Sequence, residues 1–196
     1  MKTIMITGLM ALCSLTVSLA GNITGKVTAK GVKNGGDAVL YIDKIASKTF
    51  PAPKEHAMMD QKNLKFVPHV LPVLVGTTVD FLNSDDVLHN VFSPDKCVDK
   101  FNLGSWPKGH TKSYTFNVAG CPATLLCNVH PEMEGYVVVV ETPYFAVSAA
   151  DGSYTIKDVP PGKYTLKIWH QKLKGKDVPV EVPEKGSATV DFEIHK

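Results

Sequence analysis

The chain has 196 residues, enough for one large or two small β domains, and a formal net charge of +2 from 21 basic and 19 acidic residues. Every basic residue is Lys, and there is no Arg. A near-neutral chain lacking the planar guanidinium fork has little to offer a phosphate backbone or a base edge, which excludes nucleic acid as a partner.

The first twenty residues read as an export leader. Lys2 supplies the positive start, IMITGLMALCSLTVSL the apolar run, and Ser18-Leu19-Ala20 the small residues of a cleavage site. The expectation is a signal peptide over 1–20, a mature chain from Gly21, and a location in the periplasm or outside the cell. No later stretch is long and apolar enough to span a bilayer. Without the leader, three cysteines remain: Cys97, Cys121 and Cys127.

From Asn22, NITGKVTAKGVKNGGDAVLYIDKI reads as two strands joined as a hairpin at Lys-Asn-Gly-Gly. Residues 46–62, with Pro51 and Pro53, read as a polar linker. LKFVPHVLPVLVGTTVDFL at 64–82 alternates around Pro68, Pro72 and Gly76, which suits edge or bulged strands. NSDD at 83–86 is a turn into LHNVFS, and a loop-rich section leads to the alternating SYTFNV. ATLLC then runs into the loop CNVHPEMEG, which YVVVVE leaves as a β-branched strand. After residue 143, Asp-Gly and Pro-Pro-Gly turns separate further alternating strands without Cys or Met. Short strands with turns between them predict an all-β, sandwich-type protein with no helix after the leader.

CNVHPEM, residues 127–133, carries the chemistry. It presents a thiol at Cys127, an imidazole at His130 and a thioether at Met133, each separated from the next by two residues. Soft sulfur ligands with imidazole suit copper, and two His, one Cys and a weak axial Met make an electron-transfer copper site. The second imidazole must come from a distant strand, and His89 in LHNVFS is the candidate. A structural zinc site would want four Cys or His ligands, and only three stand beside the thioether. A binuclear copper centre would need a second Cys in the loop, where Asn128 and Val129 stand instead. His56 with Met58 and Met59 offers at most a weak Cu(I) site. If Cys127 ligates metal, Cys97 and Cys121 are left as a pair. At roughly 3.3 Å per strand residue, both fall about 20 Å from the metal, where a disulfide is the natural use.

LHNVFS followed by CNVHPEM resembles the cupredoxin family, and the Cys-x2-His-x2-Met loop is similar to that of the amicyanin and plastocyanin-like members. More broadly, MDQKNLKFVP at 59–68, DVLHNVFS at 86–93, FNLG at 101–104, CNVHPEM and TPYFAV at 142–147 resemble secreted proteins of the methylamine-utilisation type. These join a cupredoxin to a carboxypeptidase regulatory-like module, here carried by DGSYTIKDVPPGKYTLKIWH at 151–170. The resemblance implies a Greek-key β-sandwich cupredoxin over 55–142. It implies a smaller transthyretin or carboxypeptidase-regulatory-like sandwich over 21–54 and 143–196, discontinuous if the cupredoxin is inserted; the alternative gives residues 22–45 to the cupredoxin as its first strands. It further implies one type 1 copper ion with His89, Cys127 and His130 equatorial and Met133 axial, and Asn90 as the residue whose amide fixes the ligand loop. The function implied is a one-electron carrier rather than an enzyme, meeting a redox partner such as a c-type cytochrome or a dehydrogenase. Two other readings stay open: copper sequestration or delivery without redox turnover, and an adhesion or scaffold role for the second module.

Overall fold

The computed structural model describes residues 20–31, 35–98 and 101–196; the leader up to residue 19 lies outside them. The strands, in chain order, begin with β1 (Gly21–Ala29) and β2 (Val39–Ile42). There follow β3 (Ala57–Gln61), β4 (Phe66–Val67), β5 (Val70–Leu74), β6 (Thr77–Asn83), β7 (His89–Phe92), β8 (Asn102–Trp106), β9 (Thr111–Phe116), β10 (Pro122–Leu126) and β11 (Glu134–Val140). The chain closes with β12 (Phe145–Val147), β13 (Ser153–Val159), β14 (Gly162–Trp169), β15 (Val178–Val182), β16 (Ser187–Thr189) and β17 (Phe192–Ile194). The single helical element among the described residues is a 3-10 turn at Lys96–Val98.

Strands β3 to β11 make one sandwich. Its sheets run β5-β11-β10-β7-β8 and β4-β3-β6-β9. Their inner faces share a core that includes Met59, Phe66, Phe81, Val91, Phe116, Leu125 and Val137. The second sandwich has sheets β13-β1-β16, with β17 also on β1, and β12-β2-β14-β15. Ile23, Leu40, Ile42, Ile156, Leu166 and Ile194 are among the residues in its core.

A third apolar cluster lies where the two sandwiches meet. Val39, Val70, Val138 and Val140 are buried there, flanked by Tyr41, Tyr136, Phe145, Val147 and Trp169. This explains the unbroken run Val137-Val138-Val139-Val140. The odd members face the first core and the even ones the neighbouring sandwich, so β11 is buried on both faces, as a continuously apolar strand should be. Fully burying such a side chain stabilises the fold by about 1.5–3 kcal/mol.

Two expectations need correction. The 22–45 segment is not a hairpin: β1 and β2 belong to different sheets and face one core from opposite sides. Both edges of β1 are already occupied, by β13 on one side and by β16 and β17 on the other. The 46–62 segment is not all linker. Its last strand, Ala57–Gln61, is β3, parallel to β6, with Met59 and Gln61 wholly buried. Of the 64–82 stretch, the proline-bearing part forms edge strands, while its end is β6, a central strand between β3 and β9. β4 and β5 end their sheets, and Pro72 sits on β5, where a missing N–H is tolerated. Cys97 and Cys121 are joined by a disulfide that ties the loop after β7 to the head of β10.

Candidate metal centre

The site lies at one end of the first sandwich, where β7 begins and β10 ends. β7 and β10 are neighbours in one sheet, with Leu126 opposite Phe92, so His89 and Cys127 are brought close at adjoining strand ends. The loop 127–133 then turns tightly: the Met133 amide donates to the His130 carbonyl at 3.0 Å before β11 leaves. His89 and Cys127 are buried, and His130 is half-buried. Met133 is only 1% exposed and packs in the same core as Cys127.

The ligand atoms of His89, Cys127 and His130 all lie within 4.8 Å of one another. His89 Nδ1 is 3.1 Å from His130 Nδ1 and 4.0 Å from Cys127 Sγ. Cys127 is the one free cysteine among the described residues.

Proton positions follow from the partners. His89 Nε2 lies 2.9 Å from Asp85 Oδ2, and a carboxylate can only accept, so Nε2 carries the proton. Nδ1 of the neutral ring is therefore a free lone pair facing the other two donors, the tautomer a metal ligand needs. Asp85 is itself anchored, accepting the Asn63 amide at 2.7 Å and the Leu64 amide at 2.9 Å. Partial burial pushes its carboxyl pKa up, but the Leu64 amide, the His89 ring and the Asn63 amide outweigh this and hold it below the usual value.

Asp85 is placed by Asn83. The Asn83 side chain accepts the Asp85 amide and donates to the Val87 and Trp106 carbonyls, shaping the 83–88 turn. Asn90 completes the frame. Its backbone N–H points at Cys127 Sγ at 3.4 Å, and its side chain donates to Asn102 Oδ1 and the Gly104 carbonyl. Its Oδ1 accepts the Asn128 amide at 3.2 Å. One asparagine thus links β7, β8 and the ligand loop.

Sequence reasoning missed Asp85, which reads there only as part of a turn. The available signal was a carboxylate four residues before a candidate ligand histidine, since metal-binding histidines commonly give their second N–H to a carboxylate. His56 pairs with Asp80 at 3.0 Å.

A buried thiol and two imidazoles converging at these distances fit copper, which favours mixed sulfur and imidazole donors. Comparison with known proteins agrees. Residues 54–140 match the family of copper binding proteins, plastocyanin/azurin family. This match covers the first sandwich and is to copper-binding cupredoxins, and copper is the cofactor its donor set fits. Residues 133–190, which include β12 to β16 of the second sandwich, match polysaccharide lyase family 4, domain II, a fibronectin type III-like model. Among solved structures, a Cu(I) amicyanin carrying a single methionine replacement is 28% identical, covers 45% of this chain and 85% of its own, and has a TM-score of 0.41. A purple cupredoxin from Nitrosopumilus maritimus is also 28% identical, covering 42% of this chain and 98% of its own, with a TM-score of 0.38. A copper-containing nitrite reductase from Thermus scotoductus is 21% identical, covering 59% of this chain and 28% of its own, with a TM-score of 0.43. A comparison with curated proteins returns no match.

Proposed function

We propose that this protein is an exported one-electron carrier whose copper is held by His89 Nδ1, Cys127 Sγ and His130 Nδ1, with Met133 as the weak axial donor. The observation that carries this reading is the convergence of those three ligand atoms within 4.8 Å. Copper in such a donor set changes oxidation state with little change of geometry, which keeps the cost of electron transfer low.

The chain's own residues do the rest. Asp85 keeps the proton on the outer nitrogen of His89, and Cys127 must give up its thiol proton to ligate. The Asn90 N–H at 3.4 Å offsets charge on the sulfur, and the Asn90 side chain holds the loop in register. His130 is the half-exposed ring through which electrons would leave. Val87 and Leu88, just before His89, and Val129, just before His130, are exposed at 44%, 52% and 46%. Such an apolar rim suits a small, transient contact with a redox partner protein such as a c-type cytochrome or a dehydrogenase. On this reading the protein is a carrier and not an enzyme.

We also infer a discontinuous second domain, residues 21–54 and 143–196, with the cupredoxin inserted as 55–142. In support, β1 pairs with β13, β16 and β17, and β2 with β12 and β14. The chain leaves from β2 and returns on β12, which are paired neighbours, so the insertion needs no long connection.

Adding Cu(II) tests the function. Intense absorption toward the red with narrow hyperfine splitting, reversibly bleached by a reductant, is the expected result. Cys127→Ala should abolish the colour, while Met133→Ala should keep most of it and shift the potential. Tight, colourless Cu(I) binding would favour sequestration, and no binding at all would favour a scaffold role.

A further inference from the structure

We propose that the second sandwich tunes the copper site from the Met133 side, through Gln171 and His69. The inference rests on the ligand assignment above and concerns residues which that assignment does not use.

A cleft of about 420 Å³ lies between the two sandwiches, lined by Phe66, His69, Met133, Glu134, Gln171 and Lys172 among others. His69, just before β5, grips the start of β11 twice. Its Nδ1 lies 3.1 Å from the Glu134 carbonyl, and its own carbonyl accepts the Tyr136 amide at 2.9 Å. A carbonyl only accepts, so Nδ1 carries the proton, and Nε2 is left facing the other sandwich. There it meets the Gln171 side-chain amide, 3.0 Å from Oε1. An amide presents either an acceptor or a donor, so Gln171 can serve either protonation state of His69.

The grip falls one residue after Met133. On the other side of this strand start, Gly135 lies against Phe66 so tightly that a Cβ there would come within 2.8 Å of the Phe66 Cβ. The contact between the sandwiches is also aromatic: the Tyr136 and Trp169 rings are 5.2 Å apart, and His69 packs edge-on to Tyr136 at 5.5 Å. Two residues before Gln171, Trp169 thus braces the same strand that Met133 opens. An axial thioether is a weak ligand whose position sets the potential, so a small displacement of this backbone is read directly as a redox change. Gln171, His69 and the Glu134 carbonyl form a positioning chain from one sandwich to the copper of the other.

The test is a double-mutant cycle on the copper-loaded protein, reading reduction potential and the ratio of the visible bands. Gln171→Leu and His69→Leu should each shift both readouts in the same direction without changing copper stoichiometry. The double variant should shift them no further than His69→Leu alone. Tyr154→Phe, which removes a hydroxyl bond to the Val190 carbonyl in the core of the second sandwich, is the control for general loosening. It should lower the melting temperature and leave both readouts unchanged. A silent Gln171→Leu, an additive double variant, or an equal shift in Tyr154→Phe would overturn the proposal. If His69→Leu does not fold, the comparison of Gln171→Leu with Tyr154→Phe decides alone. A wild-type protein that takes up copper without colour would instead sink the ligand assignment, a separately visible outcome.

Discussion

At the scale of single residues, the site depends on a proton being kept in one place. His89 can offer Nδ1 while its proton stays on Nε2, and Asp85 at 2.9 Å favours that tautomer. The same carboxylate caps the amides of Asn63 and Leu64, so its loss is felt by both the metal and the fold. Asp85→Ala should weaken copper binding by about 10–100-fold, the usual cost of losing such an outer contact. It should also lower stability by about 1–3 kcal/mol, from the amides left without partners. Competition titration against a chelator and a thermal melt of the metal-free protein measure the two effects separately. The candidate ligands stood out in the sequence, because sulfur and imidazole at a two-residue spacing have few other uses, and the fold brings His89, Cys127 and His130 together. Asp85 was not, since an Asp in NSDD is also what an ordinary turn requires.

At the scale of elements, the alternation of side chains reported which strands exist but not which strands pair. VLYI in β2 is apolar at every position, so its parity could not say that Leu40 and Ile42 face the second core while Val39 and Tyr41 face the other sandwich. The glycine-rich turn after β1 suggested a hairpin, whereas the occupied edges of β1 send β2 to the facing sheet. The polar flanks of Met58 and Met59 hid β3, whose strand character comes from its partner β6 and not from its own composition. The approach of β11 to Phe66 gives a prediction at this scale. Gly135→Ala forces a Cβ within 2.8 Å of a fully packed side chain, so it should destabilise by about 1–3 kcal/mol. At this chain length that is a fall of several degrees in melting temperature. A melt unchanged within error would mean that the ladder gives way more easily than this packing implies.

For the whole molecule, two sandwiches with separate cores are held together by a valine and aromatic layer and by the His69–Gln171 bond. Two phenols, Tyr154 buried and Tyr136 half-buried, report on this assembly. Burial first, and Glu134 second, raise the pKa of Tyr136 well above its usual value of 10.0; burial, then Asp191, do the same for Tyr154. A folded-state pKa above the unfolded one favours the protonated form in the fold. The stabilisation is therefore fully present below pH 10 and is lost as pH rises through the folded values. A spectrophotometric titration should show these two tyrosines silent at pH 10, ionising only as tertiary structure is lost. Normal titration of all six tyrosines with the fold intact would contradict the burial. The all-β class, the two-module composition and the copper loop were visible in the chain itself. The layer between the modules was not, because it is made from the outward faces of strands whose inner faces already explain their sequence.

X-ray absorption at the copper edge, recorded on the loaded protein, counts the atoms around the metal and tests the ligand assignment most directly. The expected shell holds one short sulfur scatterer from Cys127 and two imidazole nitrogens, with the sulfur lost in Cys127→Ala and one nitrogen lost in His89→Ala. A shell of nitrogen and oxygen alone, or one unaltered by His89→Ala, would contradict it.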